Sequence, residues 1–300
     1  MKKILALALA LVTLIGIIAG CTSSESVNFD YKESYERLYK DVVEHGYAID
    51  DLTANAMRKY EDQTCVCFGD SITGGFEPPD DYPTVISRLT GLTTVNAGFG
   101  GVRMSSHPYP EIDAFSFYRL ADAIATDDWS LQDQYVAELP LTNSQSRYNA
   151  LRAVNWSEVD FITIAFGAMD ISGQVPIEDP NDLKSVNTVM GALRYSLERI
   201  QSTYPHIKIL VLTPIYRYWA EEAKDSDQML FAGHTFTDYV DGIITVAQEY
   251  KLPYVDMYRT LGFNSITRVY YFNENDGVHP NAKGLTRMGE RIATALLNEF

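Results

Sequence analysis

Short apolar segments that alternate with amphipathic segments are the feature of this sequence that most limits its fold. Residues 159–166 are almost continuously apolar, which is typical of a strand buried on both faces of a parallel sheet. Further strands are predicted at residues 64–68, 93–96, 207–214 and 253–256. Helices are predicted at residues 83–89, 115–125, 144–154, 183–204 and 236–250, and from Pro280 to residue 300. This alternation predicts an α/β domain in which helices cover both faces of a parallel sheet.

The first predicted strand ends in Gly69-Asp70-Ser71, where the chain turns sharply. A serine at the carboxyl end of a strand faces the crevice in which open α/β sheets bind ligands, and a tight strand-to-helix turn exposes its hydroxyl. Gly-Asp-Ser is also ordinary sequence for a turn or a helix cap. Ser71 is therefore a candidate nucleophile if the rest of the chain supplies its partners.

Two later segments are candidates for those partners. Residues 98–101 contain three glycines, whose backbone N–H groups can approach a ligand closely, although a flexible loop would have the same composition. Asp276 and His279 lie in the loop before the last helix. The carboxylate can accept the Nδ1 proton and leave Nε2 free to accept a proton from a serine, but an isolated Asp-x-x-His also occurs by chance.

The order of these segments resembles the GDSL, or SGNH, family of serine esterases and lipases. The serine follows the first strand, the glycines follow the second, Gly167-Ala168-Met169-Asp170 follows the third, and Asp276 and His279 precede the last helix. The resemblance covers roughly residues 64–300 and implies a three-layer α/β/α, flavodoxin-like fold with a central parallel five-stranded sheet. It also implies hydrolysis of esters through an acyl-enzyme, with no metal or organic cofactor.

The resemblance assigns roles to individual residues. Ser71 resembles the nucleophile, His279 the general base and then acid, and Asp276 the residue that orients the histidine. The backbone N–H groups of Ser71 and Gly101 correspond to two donors of the oxyanion hole. The substrate pocket is assigned to Gly100, Met169 and Asp170.

Position 169 departs from the family pattern. The third family motif reads Gly-x-Asn-Asp, and its asparagine donates a hydrogen bond to the oxyanion, whereas this chain has Met169. A thioether cannot donate, and the loss of one such donor costs on the order of 10²- to 10³-fold in turnover. Another donor in the middle of the chain, a less demanding substrate, or conversion to a non-catalytic binder would each account for this methionine. A role in core packing is the further alternative.

The N-terminal residues predict export and lipidation. Lys2 and Lys3 precede a short apolar run, and small residues precede Cys21, as in a secretory signal at residues 1–20. The junction Ile-Ala-Gly-Cys resembles a bacterial lipobox, which implies lipidation of Cys21 and anchoring at the bacterial cell surface after transfer across the cytoplasmic membrane. A secreted or uncleaved N-terminus is the alternative. Residues 21–29 would form a tether, and residues 30–300, with an amphipathic helix at 30–46, the hydrolase domain.

Charge and cysteine content limit the partners. The net charge of −16 becomes −18 when residues 1–20 leave with Lys2 and Lys3 and no acid. Such an acidic protein repels phosphates, so nucleic acid is not expected as a partner. Cys65 and Cys67 are two residues apart on a strand, so both point to one face. We expect buried thiols there rather than a disulfide or a metal site.

The long segment 102–158 at the predicted carboxyl edge of the sheet is expected to shape a pocket. Candidates to line it are Arg103, His107, Tyr109, Tyr118, Trp129 and Trp156, although packing in the core or on the surface is the more common role of such residues.

Two functions of different classes fit the sequence. The first is a surface-anchored ester hydrolase that removes acyl groups from a small molecule or a glycan. A glycan is the leading candidate, because twenty tyrosines suit stacking on sugar rings. A short-chain lipid or peptidyl ester is the alternative substrate. The second is a lipoprotein that keeps the fold, binds a glycan or lipid, and has lost useful catalysis. A transport-type binding protein would need two similar lobes and a hinge, and the sequence contains no internal repeat.

Overall fold

A parallel sheet of five strands organises the computed structural model, which describes residues 59–274 and 276–300. The strands of the chain are β1 (Thr64–Gly69), β2 (Thr93–Gly98), β3 (Phe161–Ala165), β4 (Lys208–Leu212), β5 (Tyr218–Trp219), β6 (Lys224–Asp225), β7 (Leu230–Phe231), β8 (His234–Thr235) and β9 (Tyr254–Val255). The sheet has the order β2-β1-β3-β4-β9, and the other four strands form two short antiparallel pairs. The predicted α/β fold with a central parallel five-stranded sheet is confirmed.

Several predicted features lie outside the described residues. These are the signal sequence, the lipidated Cys21, the tether and the helix at residues 30–46. Among the residues that are described, no helix combines the length and the apolar character that a membrane span requires.

The register of the sheet brings three strand ends together. β1 lies between β2 and β3, and all three run in the same direction. Gly69 at the end of β1 is paired with Gly98 of β2 on one side and with Ala165 of β3 on the other. The segments that follow these three strands therefore leave the sheet side by side at its carboxyl edge, where open α/β sheets bind ligands.

Helices cover both faces of the sheet. They are α1 (Ser71–Gly74), α2 (Tyr82–Thr90), α3 (Pro110–Asp113), α4 (Phe117–Thr126), α5 (Ser130–Tyr135), α6 (Ser144–Arg152), α7 (Ala168–Ser172), α8 (Val189–Thr203), α9 (Phe236–Glu249), α10 (Met257–Thr260), α11 (Arg268–Tyr271) and α12 (Ala282–Glu299). α2 packs against α12, whereas α8 packs against α4 and α9. Val66 and Phe68 of β1 belong to the main hydrophobic cluster, which contains residues of α4, α8 and α9.

The cysteines of β1 alternate with these cluster residues. Cys65 and Cys67 therefore point to the opposite face of the sheet, and both are fully buried and free. Their sulfur atoms are 4.0 Å apart, about twice the length of a disulfide bond. The prediction of two buried thiols is confirmed.

Helix ends account for most differences between the predicted and observed elements. The helix predicted at 183–204 begins at Val189, because the hydroxyl of Thr188 accepts a hydrogen bond from Gly191 N and caps it there. Pro280 was expected in the first turn of the last helix, but that helix begins at Ala282. The side chain of Asn281 caps it, and Pro280 instead pairs with Phe272 in an isolated β-bridge.

Candidate active site

Ser71 begins a one-turn helix at the end of β1. The carboxylate of Asp70 accepts a hydrogen bond of 2.9 Å from Ile72 N, and the Asp70 carbonyl accepts from Thr73 N and Gly74 N. These contacts satisfy the N–H groups of the second to fourth residues of α1 and set the sharp change from strand to helix. The Ser71 side chain is half-buried, and its backbone N–H has no acceptor among the described residues.

The turn is held against β2 by close backbone contact. A methyl group on Gly74 would overlap the carbonyl of Gly98, and one on Gly98 would overlap Gly74 N, so neither position has room for a side chain. The amide of Asn96 donates to the Thr73 carbonyl over 2.8 Å. Asn143, which precedes α6, donates to the Gly74 carbonyl over the same distance. These polar supports come from other segments of the chain, and neither asparagine was among the predicted site residues.

Three side chains that the sequence proposed as a set lie in hydrogen-bond contact. Ser71 Oγ is 2.8 Å from His279 Nε2, and His279 Nδ1 is 2.8 Å from Asp276 Oδ2. The other oxygen of Asp276 accepts from the backbone N–H groups of Val278 and His279 at 3.0 and 3.2 Å. Asp276 therefore holds both its own loop and the imidazole ring, and the histidine is oriented to accept the serine proton.

The loop that carries the histidine is fixed on both sides. Asn273 donates to the His279 carbonyl through its backbone N–H over 3.0 Å and through its side-chain amide over 3.2 Å. Tyr218 N donates to the Gly277 carbonyl, and a side chain on Gly277, whose φ is +69°, would overlap the Tyr218 backbone. These contacts keep the imidazole at one position above the end of β1.

The glycine segment after β2 contains two glycines with different surroundings. Gly101 has φ +79°, a conformation that favours glycine, and its backbone N–H has no acceptor among the described residues. Gly100 is buried, and a methyl group there would meet Leu141 Cγ at 2.6 Å. Gly100, which was predicted to line the substrate pocket, lies close to the side chain of Leu141.

Asp170 is buried against the chain that follows Gly101. Its side chain is fully buried, and its carboxylate accepts hydrogen bonds from Met104 N at 2.9 Å, Ser105 N at 3.0 Å and Ser105 Oγ at 2.5 Å. Asp170 was predicted for the substrate pocket, and in the structure its acceptor atoms hold the chain that continues from Gly101. Met169, one residue earlier in α7, is half-buried and lies outside the fully buried core.

Asp70 carries a shifted pKa. Its side chain is 2% exposed and borders a small, mainly apolar cavity whose wall includes Phe166, Pro214 and Met257. Burial raises the pKa of Asp70 to about 6, and the Ile72 hydrogen bond and the charge of Arg217 only partly oppose that effect. The folded protein therefore binds the Asp70 proton more tightly than the unfolded chain does.

Asp70→Asn is expected to change how stability depends on pH. In the wild type, the free energy of unfolding falls as pH rises from about 4 to about 6, because the folded state must release a proton that it holds more tightly, and the cost persists above pH 6. A shift of this size corresponds to about 3 kcal/mol. Asparagine keeps an acceptor for Ile72 N without the charge, so the advantage of the variant over the wild type should grow across this range.

Urea unfolding at pH 4, 5, 6, 7 and 8 measures this difference. Asp80→Asn is the matched control, because Asp80 is exposed on the connection between α1 and α2. Parallel stability curves for Asp70→Asn and the wild type would show that Asp70 ionises normally.

The large aromatic residues predicted for the pocket have other positions. Trp129 and Trp156 are buried in the main hydrophobic cluster. Tyr118 is also buried, and its hydroxyl donates to Asp113 at 2.8 Å, whereas Tyr109 is 60% exposed. Across residues 59–274 and 276–300, no group of three or more His, Cys, Asp or Glu side chains could hold a metal ion.

Comparison with known proteins connects this arrangement to a family. The sequence model of the GDSL-like Lipase/Acylhydrolase family matches residues 67–287. A solved protein from Lactobacillus plantarum superposes with a TM-score of 0.58 at 20% identity, covering 80% of this chain and 99% of its own. A possible lipase from Chitinophaga pinensis superposes with a TM-score of 0.52 at 18% identity, covering 78% of this chain and 97% of its own. These two likenesses concern the fold. Among curated proteins, none matches the chain.

Proposed function

Because this chain belongs to the GDSL-like lipase/acylhydrolase family and is a hydrolase of ester bonds, we propose that Ser71, His279 and Asp276 are its catalytic residues. The observation that carries this proposal is the continuous hydrogen-bonded path from Ser71 Oγ through the imidazole to the Asp276 carboxylate, with both contacts at 2.8 Å. The path joins residues 208 positions apart in the sequence, so local turn formation does not account for it.

The proposed reaction has two steps. Ser71 Oγ attacks the ester carbonyl carbon while His279 Nε2 takes the hydroxyl proton, and Asp276 stabilises the resulting imidazolium. The carbonyl oxygen becomes an oxyanion, to which the backbone N–H groups of Ser71 and Gly101, which have no acceptor within residues 59–274 and 276–300, donate. The alcohol leaves with the proton from His279, and an acyl-enzyme remains. Water then attacks this ester, again with His279 as base, and releases the acid and free Ser71.

Reaction with a serine-directed fluorophosphonate tests the proposal without requiring the natural substrate. An activated hydroxyl displaces fluoride, so the peptide that contains Ser71 should gain the mass of one phosphonyl group. Prior denaturation should abolish labelling, because the histidine then leaves the serine. Absence of label on Ser71 in the folded protein would overturn the proposal.

The alternative function is binding without useful catalysis, and Met169 is the observation that favours it. The half-buried thioether stands where the family places a donor to the oxyanion. Against this alternative, the Ser71 and His279 side chains keep the spacing that proton transfer requires.

Met169→Asn is expected to raise kcat for p-nitrophenyl butyrate about 10- to 100-fold, because the amide supplies a donor that the methionine lacks. Met169→Leu is the matched control, since it changes the side chain without adding a donor and should leave kcat close to the wild type. Equal rates for both variants would mean that another group already donates to the oxyanion. A wild type that resists the fluorophosphonate, together with a reactive Met169→Asn, would instead support the binding function.

The proposed substrate is an acyl group on a glycan. The twenty tyrosines support it through their capacity to stack on sugar rings, and the partly buried Tyr218 lies against the loop that carries the histidine. Release of acetate from acetylated polysaccharide, compared with release of fatty acid from short-chain triglycerides and from peptidyl esters, distinguishes the candidate substrates.

We further propose that the protein is anchored to the outer face of the bacterial cytoplasmic membrane or cell envelope by a lipid on Cys21. The Ile-Ala-Gly-Cys junction that follows a basic and then apolar N-terminus supports this location. Metabolic labelling with palmitate should mark the full chain and not Cys21→Ala. An unlabelled wild type in a bacterial host would contradict anchoring without affecting the proposed catalysis.

A further inference from the structure

Two partly buried arginines, Arg103 and Arg217, have incomplete hydrogen bonding among the described residues. The Nε atoms of Arg103 and Arg217 are buried and have no hydrogen-bond acceptor among the described residues. No described carboxylate lies within 4.0 Å of either guanidinium, whereas Arg194 pairs with Glu178 and Glu249. An unpaired cation in a partly buried position is unfavourable unless a ligand completes its contacts.

Arg217 follows β4 and precedes Tyr218, whose N–H donates to the Gly277 carbonyl in the loop of the histidine. Its Nη1 donates to Ser172 Oγ over 2.5 Å, and its guanidinium lies 5.1 Å from the centre of the Trp219 ring. Its positive charge acts on the carboxylates of Asp70 and Asp276. The charge of Arg217 is therefore located close to the residue before Ser71 and to the partner of His279, but it forms an ion pair with neither.

Arg103 contacts the residue that follows Ser172. It lies two residues after Gly101, and a methyl group on Gly173 would overlap Arg103 Nη2, so the guanidinium rests on the backbone at the end of α7. Ser172, which accepts from Arg217, is the neighbouring residue. Each guanidinium group thus contacts the end of α7, the helix that contains Met169.

From this arrangement we infer that Arg217 and Arg103 bind an anionic oxygen group, such as a carboxylate, on the ester substrate. The inference rests on the proposed function, because it concerns the substrate of the Ser71 site. A guanidinium presents a planar set of donors that matches a carboxylate. The overall charge of −16 repels an anionic substrate, so local cations are needed to retain one beside the serine.

Matched pairs of esters that differ by one charge test this inference. The first pair is 4-acetoxybenzoate and its neutral methyl ester, which place the charge on the alcohol side. The second is mono-p-nitrophenyl succinate and its methyl ester, which place it on the acyl side, with spontaneous hydrolysis subtracted. The quantity compared is the ratio of kcat/KM for the anionic ester to that for the neutral ester.

We expect this ratio to fall about 10- to 100-fold in Arg217→Met for at least one pair, mainly through KM, and to fall also in Arg103→Met. Arg217→Lys keeps the charge without the planar donors, so its ratio should lie between those of the wild type and Arg217→Met. Arg88→Met removes the same charge from an exposed position on α2 and should leave the ratio unchanged. Because the neutral ester is measured on the same preparation, a loss of folded protein lowers both rates and leaves the ratio unaffected.

The outcomes separate this inference from the proposed function. Activity that depends on Ser71, with an equal ratio in wild type and both arginine variants, would overturn the anion site and leave the esterase standing. Activity or fluorophosphonate labelling that does not depend on Ser71 would overturn the proposed function itself. If none of the four esters is turned over, the test is whether benzoate protects Ser71 from the fluorophosphonate. Benzoate should slow labelling of Ser71 in the wild type and not in Arg217→Met. Equal labelling with benzoate and benzamide would refute the anion site.

Discussion

Ser71→Ala should lower kcat/KM for p-nitrophenyl acetate and butyrate by about 10⁴- to 10⁶-fold. The substitution removes the oxygen that lies 2.8 Å from His279 Nε2 and leaves the imidazole and Asp276 with no nucleophile to activate. The backbone N–H of residue 71 remains, so residual hydrolysis should reflect the oxyanion donors and binding alone. The measurement is initial-rate hydrolysis by a soluble form that begins at Thr22.

Two further variants test whether the loss of activity is specific to Ser71 and whether Ser71 acts together with His279. Ser202→Ala removes an exposed hydroxyl near the end of α8 and should retain full activity. Because the three side chains act as one unit, the double variant Ser71→Ala/His279→Ala should be no slower than the slower single variant. A multiplicative loss in the double variant would mean that the two residues act independently, in conflict with the proposed mechanism.

Asp170→Ala should lower the free energy of unfolding by about 3–5 kcal/mol. The carboxylate accepts from two backbone N–H groups and one hydroxyl, and all of these atoms are buried with it. Each buried donor left without an acceptor costs about 1–3 kcal/mol. The released segment begins three residues after Gly101, so the variant should also lose turnover through displacement of that backbone N–H. Chemical denaturation at neutral pH measures the stability change.

Asp160→Ala is the control for Asp170→Ala. Asp160 directly precedes β3, whereas Asp170 follows that strand. Its carboxylate is partly buried and accepts one hydrogen bond, from Thr64 N at 2.9 Å. We expect a loss of about 1 kcal/mol there. Similar losses for the two variants would show that the buried contacts of Asp170 are not special, and the structural role assigned to it would then fail.

The sequence predicted those parts of the fold whose signals are local. The apolar run that contains β3 and the helix closed by Gly91 were placed within one or two residues, because burial and capping act over a few neighbouring positions. No strand or helix was predicted for residues 216–235. Their two-residue strands are too short to show periodicity, and pairs such as Tyr218 with Asp225 depend on contacts with the rest of the domain.

The site residues that lie in family motifs could be predicted from the sequence. The residues that hold those motifs in position from other parts of the chain could not. The motifs identified Ser71 and His279, and the structure brings these side chains together. They gave no information on Asn143, which holds the nucleophile turn from a distance of 69 residues. Asp170 was assigned to the pocket because its motif neighbours the site, but the direction of its side chain depends on where residues 104 and 105 return to the sheet.

The separation of 208 residues between Ser71 and His279 has a consequence for when the enzyme becomes active during its synthesis. β1, β2 and β3 can be made and paired while the residues that carry the base are still untranslated. α12, which follows His279 in the sequence, packs against α2, where Gly289 fits against Val85. The Ser71 hydroxyl can be activated only after the segment that carries His279 has been made and its imidazole lies beside the serine. The appearance of esterase activity therefore reports the docking of that segment.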